Sequence, residues 1–505
     1  MTTTFTASAA SAGHDHAHEE ASLLIGSRWA TPDAPGGRTV ISYSFGTRGA
    51  SYAPEEADFS ATLAEFSDAD KQTTRDVLHS IEAVCNVEFV EVADSGAGHG
   101  VLRYAYSQQP TALGHAGYAF YPSSADVGGD IWIGKAQAAA EWSHYRPGLI
   151  LHETLHALGL KHPFEGADTL ASADNIIPNT AMSYSAIAGS TSGALSRYPQ
   201  EPMPLDIKAL QALYGEATHN EGNTTYRLAD DSFQGNFRAL WDSSGSDTLD
   251  ASGIAAGVVL DLNPGMRSDI GLAVQAFSYA GAATSHTTYT RTLAIAEGTV
   301  IENAVCTAYD DVIRGNSANN RIDGGDGLDT VIYQGARSDF SIRQQGDAHV
   351  LADRSGREGT DTLRQVERIE FADRCVALDL DGNAGVAARI LGAVAGKAAV
   401  QNAAHVGRVL GLLDNGMSRS DVADYVIDAA LGTPHTHQSF VALLYGNVAG
   451  TAPGAAELAY YTQLLDSGQA SQSSLALLAA DSTGNAARID LTGLAATGLE
   501  YLPQA

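Results

Sequence analysis

Apolar positions divide the 505-residue chain into stretches of different period. Residues 1–21 are small and polar and read as a flexible leader or short propeptide. From 22 to 220 both periods occur. Thr39–Phe45 (TVISYSF), Cys85–Val92 (CNVEFVEV) and Asp130–Gly134 (DIWIG) have strand-like residues. Asp68–Val84 opens on acidic residues and places Val77, Ile81 and Val84 at helical spacing, and Pro147–Gly159 reads as a helix between a Pro start and a Gly stop. This is an α+β pattern. From 221 to 380 the helical period fades, and Gly, Asp, Asn and Ser punctuate short β runs such as Gly257–Leu262, an all-β pattern. From 381 to 505 Ala and Leu dominate. Phe440, Leu443, Leu444 and Val448, then Leu458, Tyr461, Leu464 and Leu465, follow helical spacing. The expectation is a multidomain chain, α+β, then all-β, then all-α, with a boundary near Gly382.

Composition narrows the function classes. The net charge of −30 argues against a nucleic-acid partner, because phosphate binding requires clustered cations. Hydrophobic residues at 44% supply a real core. Cys85, Cys306 and Cys375 are too few and too scattered for a disulfide scaffold or a metal-type spacing, and read as buried thiols. No apolar run reaches the length of a membrane span. The N-terminus has no basic n-region or apolar h-region and is not read as a Sec signal peptide, so the expectation is a cytoplasmic protein or one exported by another route. His14, His16 and His18 read as part of a solvated tail rather than a metal site.

The chemistry concentrates at His152-Glu153-Thr154-Leu155-His156. On a helix, positions i and i+4 share a face, so both imidazoles reach one metal ion, while Glu153 can take a proton from metal-bound water. The pentapeptide alone arises by chance in roughly one such chain in thirty. The extension H-E-x-x-H-x-x-G-x-x-H-P, through Gly159, His162 and Pro163, has a chance expectation below roughly one in 10⁵. Gly159 permits a sharp turn that returns His162 as a third ligand. Three protein ligands leave the open position of a catalytic zinc site.

With this motif, and Met182 in Thr180-Ala181-Met182-Ser183-Tyr184-Ser185, the chain resembles the metzincin metalloproteases of the serralysin family. The resemblance implies a zinc-dependent metalloendopeptidase acting on protein or peptide substrates. One zinc ion would be held by His152, His156 and His162. Met182 would pack beneath the ligands, and Tyr184 would either ligate zinc or swing away to stabilise the oxyanion. Glu153 would be the general base. Gly129, Asp130, Ile131, Trp132 and Ile133 resemble the edge strand that pairs with an extended substrate. Leu23–Trp29 with Ile41–Phe45, and Pro204–Ile207 with Leu210–Gly215, resemble the start and the closing helix of the catalytic domain.

Residues 306–332 divide into the nonapeptides CTAYDDVIR, GNSANNRID and GGDGLDTVI, the last matching the RTX parallel β-roll repeat. Asp311, Gly324, Asp326, Gly327 and Asp329 are the candidate calcium site, with Asp311 and Asp329 facing each other across stacked turns. The other repeats are eroded, so one or two structural calcium ions are expected. Asp247 and Asp269 are candidates for a further ion near the domain junction. The resemblance covers roughly 22–380 and implies a secreted monomer that leaves the cell through a type I secretion apparatus. Residues 381–505 depart from the family and resemble a helical repeat of unknown function found in secreted and surface-layer proteins, which adds a cell surface as a possible partner. That domain leaves a rival reading open: a surface-associated RTX binding or adhesion protein with a vestigial protease domain. An Asp or His of the leader, such as His16, is a candidate to cover the zinc position before removal.

Overall fold

The computed structural model describes residues 16–30, 37–95, 98–139, 143–190, 193–280 and 283–503. The leader through Asp15, and the side chain of His16, lie outside them. Two compact units result: 1–247 with 263–300, and 248–262 with 301–505.

The first unit is built on a five-stranded sheet of β1 (Thr39–Phe45), β2 (Val87–Glu91), β3 (Leu102–Ser107), β4 (Gly117–Ala119) and β5 (Asp130–Gly134), in the order β2-β1-β3-β5-β4. Only β4 runs antiparallel to its neighbour. Strands β3 and β5 are buried along their whole length, which explains their near-continuous apolar composition. A helix at Asp68–Glu82 starts with a capping box between Ser67 and Asp70 and buries Val77, Leu78 and Ile81. The Asp70 carboxylate also accepts from the Arg146 guanidinium at 2.6 Å, which ties this start to that of the helix Arg146–Leu158. Both helices pack into one core with the sheet, and Phe237, Trp241, Val274 and Ala294 join it. The unit thus takes up residues beyond 220. Among them is a long antiparallel hairpin, Arg267–Ala280 with Ala283–Ile295, that the sequence pattern did not announce.

In the second unit, short strands of three residues, and one of five, alternate between two parallel stacks. Val259–Asp261, Val312–Arg314, Thr330–Ile332 and Arg368–Glu370 form one. Thr248–Asp250, Asn303–Val305, Arg321–Asp323 and Thr360–Arg364 form the other. Their central residues, including Leu260, Ile313, Ile322 and Val331, point into the interior. From Asn383 the chain is helical, with its own core built around Leu391, Val406, Val422 and Phe440. The C-terminal strand Leu499–Tyr501 pairs with Cys375–Ala377. No helix among the described residues is long and apolar enough to cross a membrane.

Candidate metal centre

The helix Arg146–Leu158 presents His152 and His156 one turn apart and stops at Gly159. Gly159 has φ of 110°, and a Cβ there would lie 2.3 Å from the Ser27 carbonyl oxygen. Only glycine fits this turn. Beyond it, His162 faces the helix. Its Nε2 lies 3.2 Å from Nε2 of His152 and 3.1 Å from Nε2 of His156. A tetrahedral ion with Zn–N bonds of about 2.0–2.1 Å separates its ligands by roughly 3.3 Å, so the spacing suits zinc. Among the described residues this is the one group of three or more His, Cys, Asp or Glu ligands gathered closely enough to hold an ion.

The outer nitrogens explain why the inner ones converge. Nδ1 of His152 lies 2.7 Å from the Ala181 carbonyl and Nδ1 of His156 lies 2.8 Å from the Leu160 carbonyl. A carbonyl can only accept, so each Nδ1 carries the proton and each Nε2 offers its lone pair inward. His162 is oriented by Glu165, whose Oε1 is 2.8 Å from Nδ1. Burial pushes His152 down to about 4 and lowers His156 and His162 as well, which keeps the rings neutral for ligation.

Glu153 is buried beside this cluster, and burial raises its carboxyl to about 8. The backbone of β4 passes directly over it: a Cβ at Gly117 would lie 2.4 Å from Glu153 Oε1. Met182 is fully buried in the core. The Tyr184 ring is half-exposed and packs 5.7 Å from the His152 ring and 4.6 Å from that of His162. Asp206, which the sequence offered only as part of a packing helix, holds the turn at 180–182. Its buried carboxylate accepts from the Thr180 hydroxyl at 2.5 Å, the Ala181 N–H at 2.8 Å and the Met203 N–H at 2.9 Å.

One expectation is corrected. The segment Gly129–Ile133 does not form the sheet edge. β5 pairs with β3 on one side and β4 on the other, and the edge belongs to Gly117–Ala119. Ile131, Trp132 and Ile133 are buried, and Gly129 lies against the Val101 carbonyl, where a Cβ would come within 2.3 Å. Asp130 is buried beside Glu56, and Trp132 Nε1 donates to Glu56 Oε1 at 2.7 Å. These groups cannot meet a substrate.

The candidate calcium residues are unevenly engaged. Asp311 and Asp329 do stack, with the Asp311 N–H donating to Asp329 Oδ1 at 2.8 Å. Yet Asp311 is already satisfied: it accepts from the Val258 N–H at 2.7 Å and from the Thr307 N–H at 2.7 Å and hydroxyl at 3.0 Å. Thr307 stands where the repeat has glycine. Asp329 differs, because its Oδ2 is buried with no partner. Burial and the neighbouring carboxylates raise its carboxyl to about 8. A Cβ at Gly324 would fall 2.5 Å from this oxygen. Gly327 has φ of 130°, while Asp326 is exposed. Asp329 thus keeps an unpartnered oxygen that suits a cation, whereas both oxygens of Asp311 already accept from the chain. Asp247 and Asp269 join no such cluster.

Comparison with known proteins agrees with this chemistry. Residues 204–377 match the family model of the peptidase M10 serralysin C terminus, and 422–489 match a domain of unknown function, DUF4214. The chain is 29% identical over 316 residues to the metallopeptidase AprA of Pseudomonas marginalis, covering 57% of this chain and 62% of that protein. It is 30% identical over 286 residues to serralysin G of Dickeya chrysanthemi (52% and 56%), and 28% identical over 298 residues to the serralysin of Proteus mirabilis (51% and 56%). The chain thus spans little more than half the length of the curated relatives it matches. The motif, the arrangement of the three histidines and these similarities together relate the chain to the serralysins, with a serralysin C-terminal region at 204–377 and a DUF4214 domain at 422–489.

Proposed function

We propose that this protein is a secreted, zinc-dependent endopeptidase stabilised by calcium. The observation that carries the reading is the convergence of three neutral imidazoles on one point, with the buried carboxyl of Glu153 next to them. His152, His156 and His162 would hold the ion. A zinc ion held by three protein ligands polarises the scissile carbonyl and lowers the pKa of a bound water.

The chain's own groups supply the rest. An extended substrate can add to the free edge of Gly117–Ala119, which sets its backbone over Glu153. Glu153, poised high by burial, takes the proton of the attacking water and passes it to the leaving amine. The Tyr184 hydroxyl, on a ring packed against two of the histidines, is placed to donate to the oxyanion. In the second unit, the nonapeptide repeats fall on strands alternating between two parallel stacks, which supports the β-roll reading. Asp329 is its candidate calcium ligand. Export through a type I apparatus, and surface attachment through the helical domain, belong to the same proposal.

Hydrolysis of casein by purified protein tests it, with and without 1,10-phenanthroline and beside Glu153→Ala. Activity lost in both controls, with zinc retained by Glu153→Ala, supports the proposal. Stoichiometric zinc in the unaltered chain without hydrolysis of casein or of a peptide library would favour the surface-binding reading.

A further inference from the structure

The three histidines are braced by a segment far from them in sequence. Ser22–Trp29 lies along residues 157–161 and closes the end of the helix that carries His152 and His156. Trp29 Nε1 donates to the Ala157 carbonyl at 2.8 Å, and the Ile25 N–H donates to the Gly159 carbonyl at 3.1 Å. Carbonyls at a helix C-terminus have no partner within the helix, so these bonds satisfy groups that would otherwise be orphaned. In the other direction, the Lys161 N–H donates to the Leu23 carbonyl at 2.7 Å, and Leu24 bridges Leu160 in antiparallel register. The same segment supplies the Ser27 carbonyl that makes glycine compulsory at 159. The Leu160 carbonyl, next to these bonds, is the one that orients His156.

Lys161 carries this bracing on to the third histidine. Its side chain is buried. An ammonium has three donors and no acceptor, and Nζ here reaches three main-chain carbonyls: that of Ser22, that of Glu165 at 2.7 Å and that of Asp168 at 3.0 Å. Lys161 directly precedes His162, and the carboxylate of Glu165 orients Nδ1 of His162. One side chain therefore ties the N-terminal segment to the loop that sets the ring of His162. A buried ammonium is costly to desolvate, and an apolar side chain would fill the same space without that cost. What the ammonium adds is a fixed position for the main chain at Glu165 and Asp168.

We propose that the strap Ser22–Trp29 and Lys161 are positioning elements of the metal centre: Lys161 holds the main chain of Glu165, and Glu165 in turn holds the ring of His162 ready to bind zinc. This rests on the zinc reading of the three histidines and is independent of what the protein cuts. Zinc affinity is measured by chelator competition in the full chain, for the unaltered protein, Lys161→Met, Glu165→Ala and the double variant. Lys161→Met should weaken zinc binding by about tenfold, the lower end of what outer partners of a ligand contribute. In the Glu165→Ala background the same change should cost less than about twofold, because the two residues act on one ring and their effects do not add. Ile25→Pro removes the N–H that donates to Gly159 while altering an exposed side chain, and should also weaken zinc binding severalfold. It decides the question if Lys161→Met does not fold. A role in packing alone would lower the melting temperatures of zinc-free and zinc-loaded protein alike and leave zinc affinity unmoved in both variants. That result overturns the proposal and leaves the zinc site standing. Fully additive effects in the double variant overturn the route through Glu165. An unaltered chain that binds no zinc overturns the zinc reading and the proposal together.

Discussion

Glu165 Oε1 lies 2.8 Å from Nδ1 of His162, so the third candidate ligand is oriented by a carboxylate, whereas His152 and His156 are oriented by backbone carbonyls. That carboxylate fixes the tautomer and the ring plane of His162. Outer partners of this kind are worth about 10–100-fold in metal affinity. Glu165→Ala should therefore weaken zinc binding by that factor in a chelator competition, and Glu165→Gln, which can still accept at Nδ1, should weaken it less. Equal affinity in all three proteins would show that the ring is held by packing alone, for example by Phe164, whose ring stacks 5.0 Å away.

Asp206 links the closing helix to the metal centre. It accepts from the Thr180 hydroxyl and from the Ala181 and Met203 N–H groups, while the Ala181 carbonyl receives His152. Asp206→Ala strands three buried donors, each costing about 1–3 kcal/mol. A marked fall in melting temperature is expected, together with loss of zinc at chelator concentrations the unaltered chain tolerates. A stable variant with normal zinc content would show that the turn at 180–182 holds itself.

What the sequence revealed and what it hid follow physical lines. The gathering of the three histidines was legible because helix period and a compulsory glycine fix them in a local segment. Tyr184 and Met182 became legible only through resemblance, since one tyrosine or methionine carries no pattern. The sheet edge was misplaced because β5 is conspicuous for the very burial that an edge strand lacks, while Gly117–Ala119 has three residues and no alternation. Asp206 was legible only as part of the closing helix, since one acid in a helical first turn does not show what it holds. The hairpin was hidden by a Thr-rich second strand with no apolar alternation over most of its length. Thr307 could have been noticed: a hydroxyl in a glycine position four residues before an aspartate is a ready local donor.

Burial of Asp130 with Glu56 makes a pH prediction. Both Asp130 oxygens are buried with no hydrogen-bond partner among the described residues. Arg103 faces the pair, but it is engaged by Asp94 at 2.8 Å and stacked on Tyr52. Burial, then Glu56, pushes Asp130 up to about 9, and burial also raises Glu56. Both folded values lie above the unfolded carboxyl range of about 4. The stability contributed is thus complete below that range and is lost as pH rises through about 9. Melting temperature should fall on the alkaline side, and Asp130→Asn, which cannot ionise, should flatten that limb. An identical alkaline slope in the variant would assign the loss to other groups.

The contrast between Asp311 and Asp329 predicts a single calcium response of limited size. Asp311 receives the Thr307 hydroxyl and two N–H groups, so the turn there closes on hydrogen bonds supplied by the chain itself. Asp329 keeps one buried oxygen without a partner, and this oxygen is where a cation would repay its dehydration. Calcium added to calcium-free protein, at constant zinc, should raise the melting temperature in one saturable step. Asp329→Ala should abolish the step. Thr307→Val should instead lower stability by about 1–3 kcal/mol, because it removes a donor from a buried carboxylate, and the calcium step should remain. If Thr307→Val abolished the calcium response, the hydroxyl would belong to the ion's coordination shell and the two aspartates would form one site. If calcium left the melting temperature of the unaltered chain unmoved up to millimolar concentration, the second unit would stand on its hydrogen bonds alone.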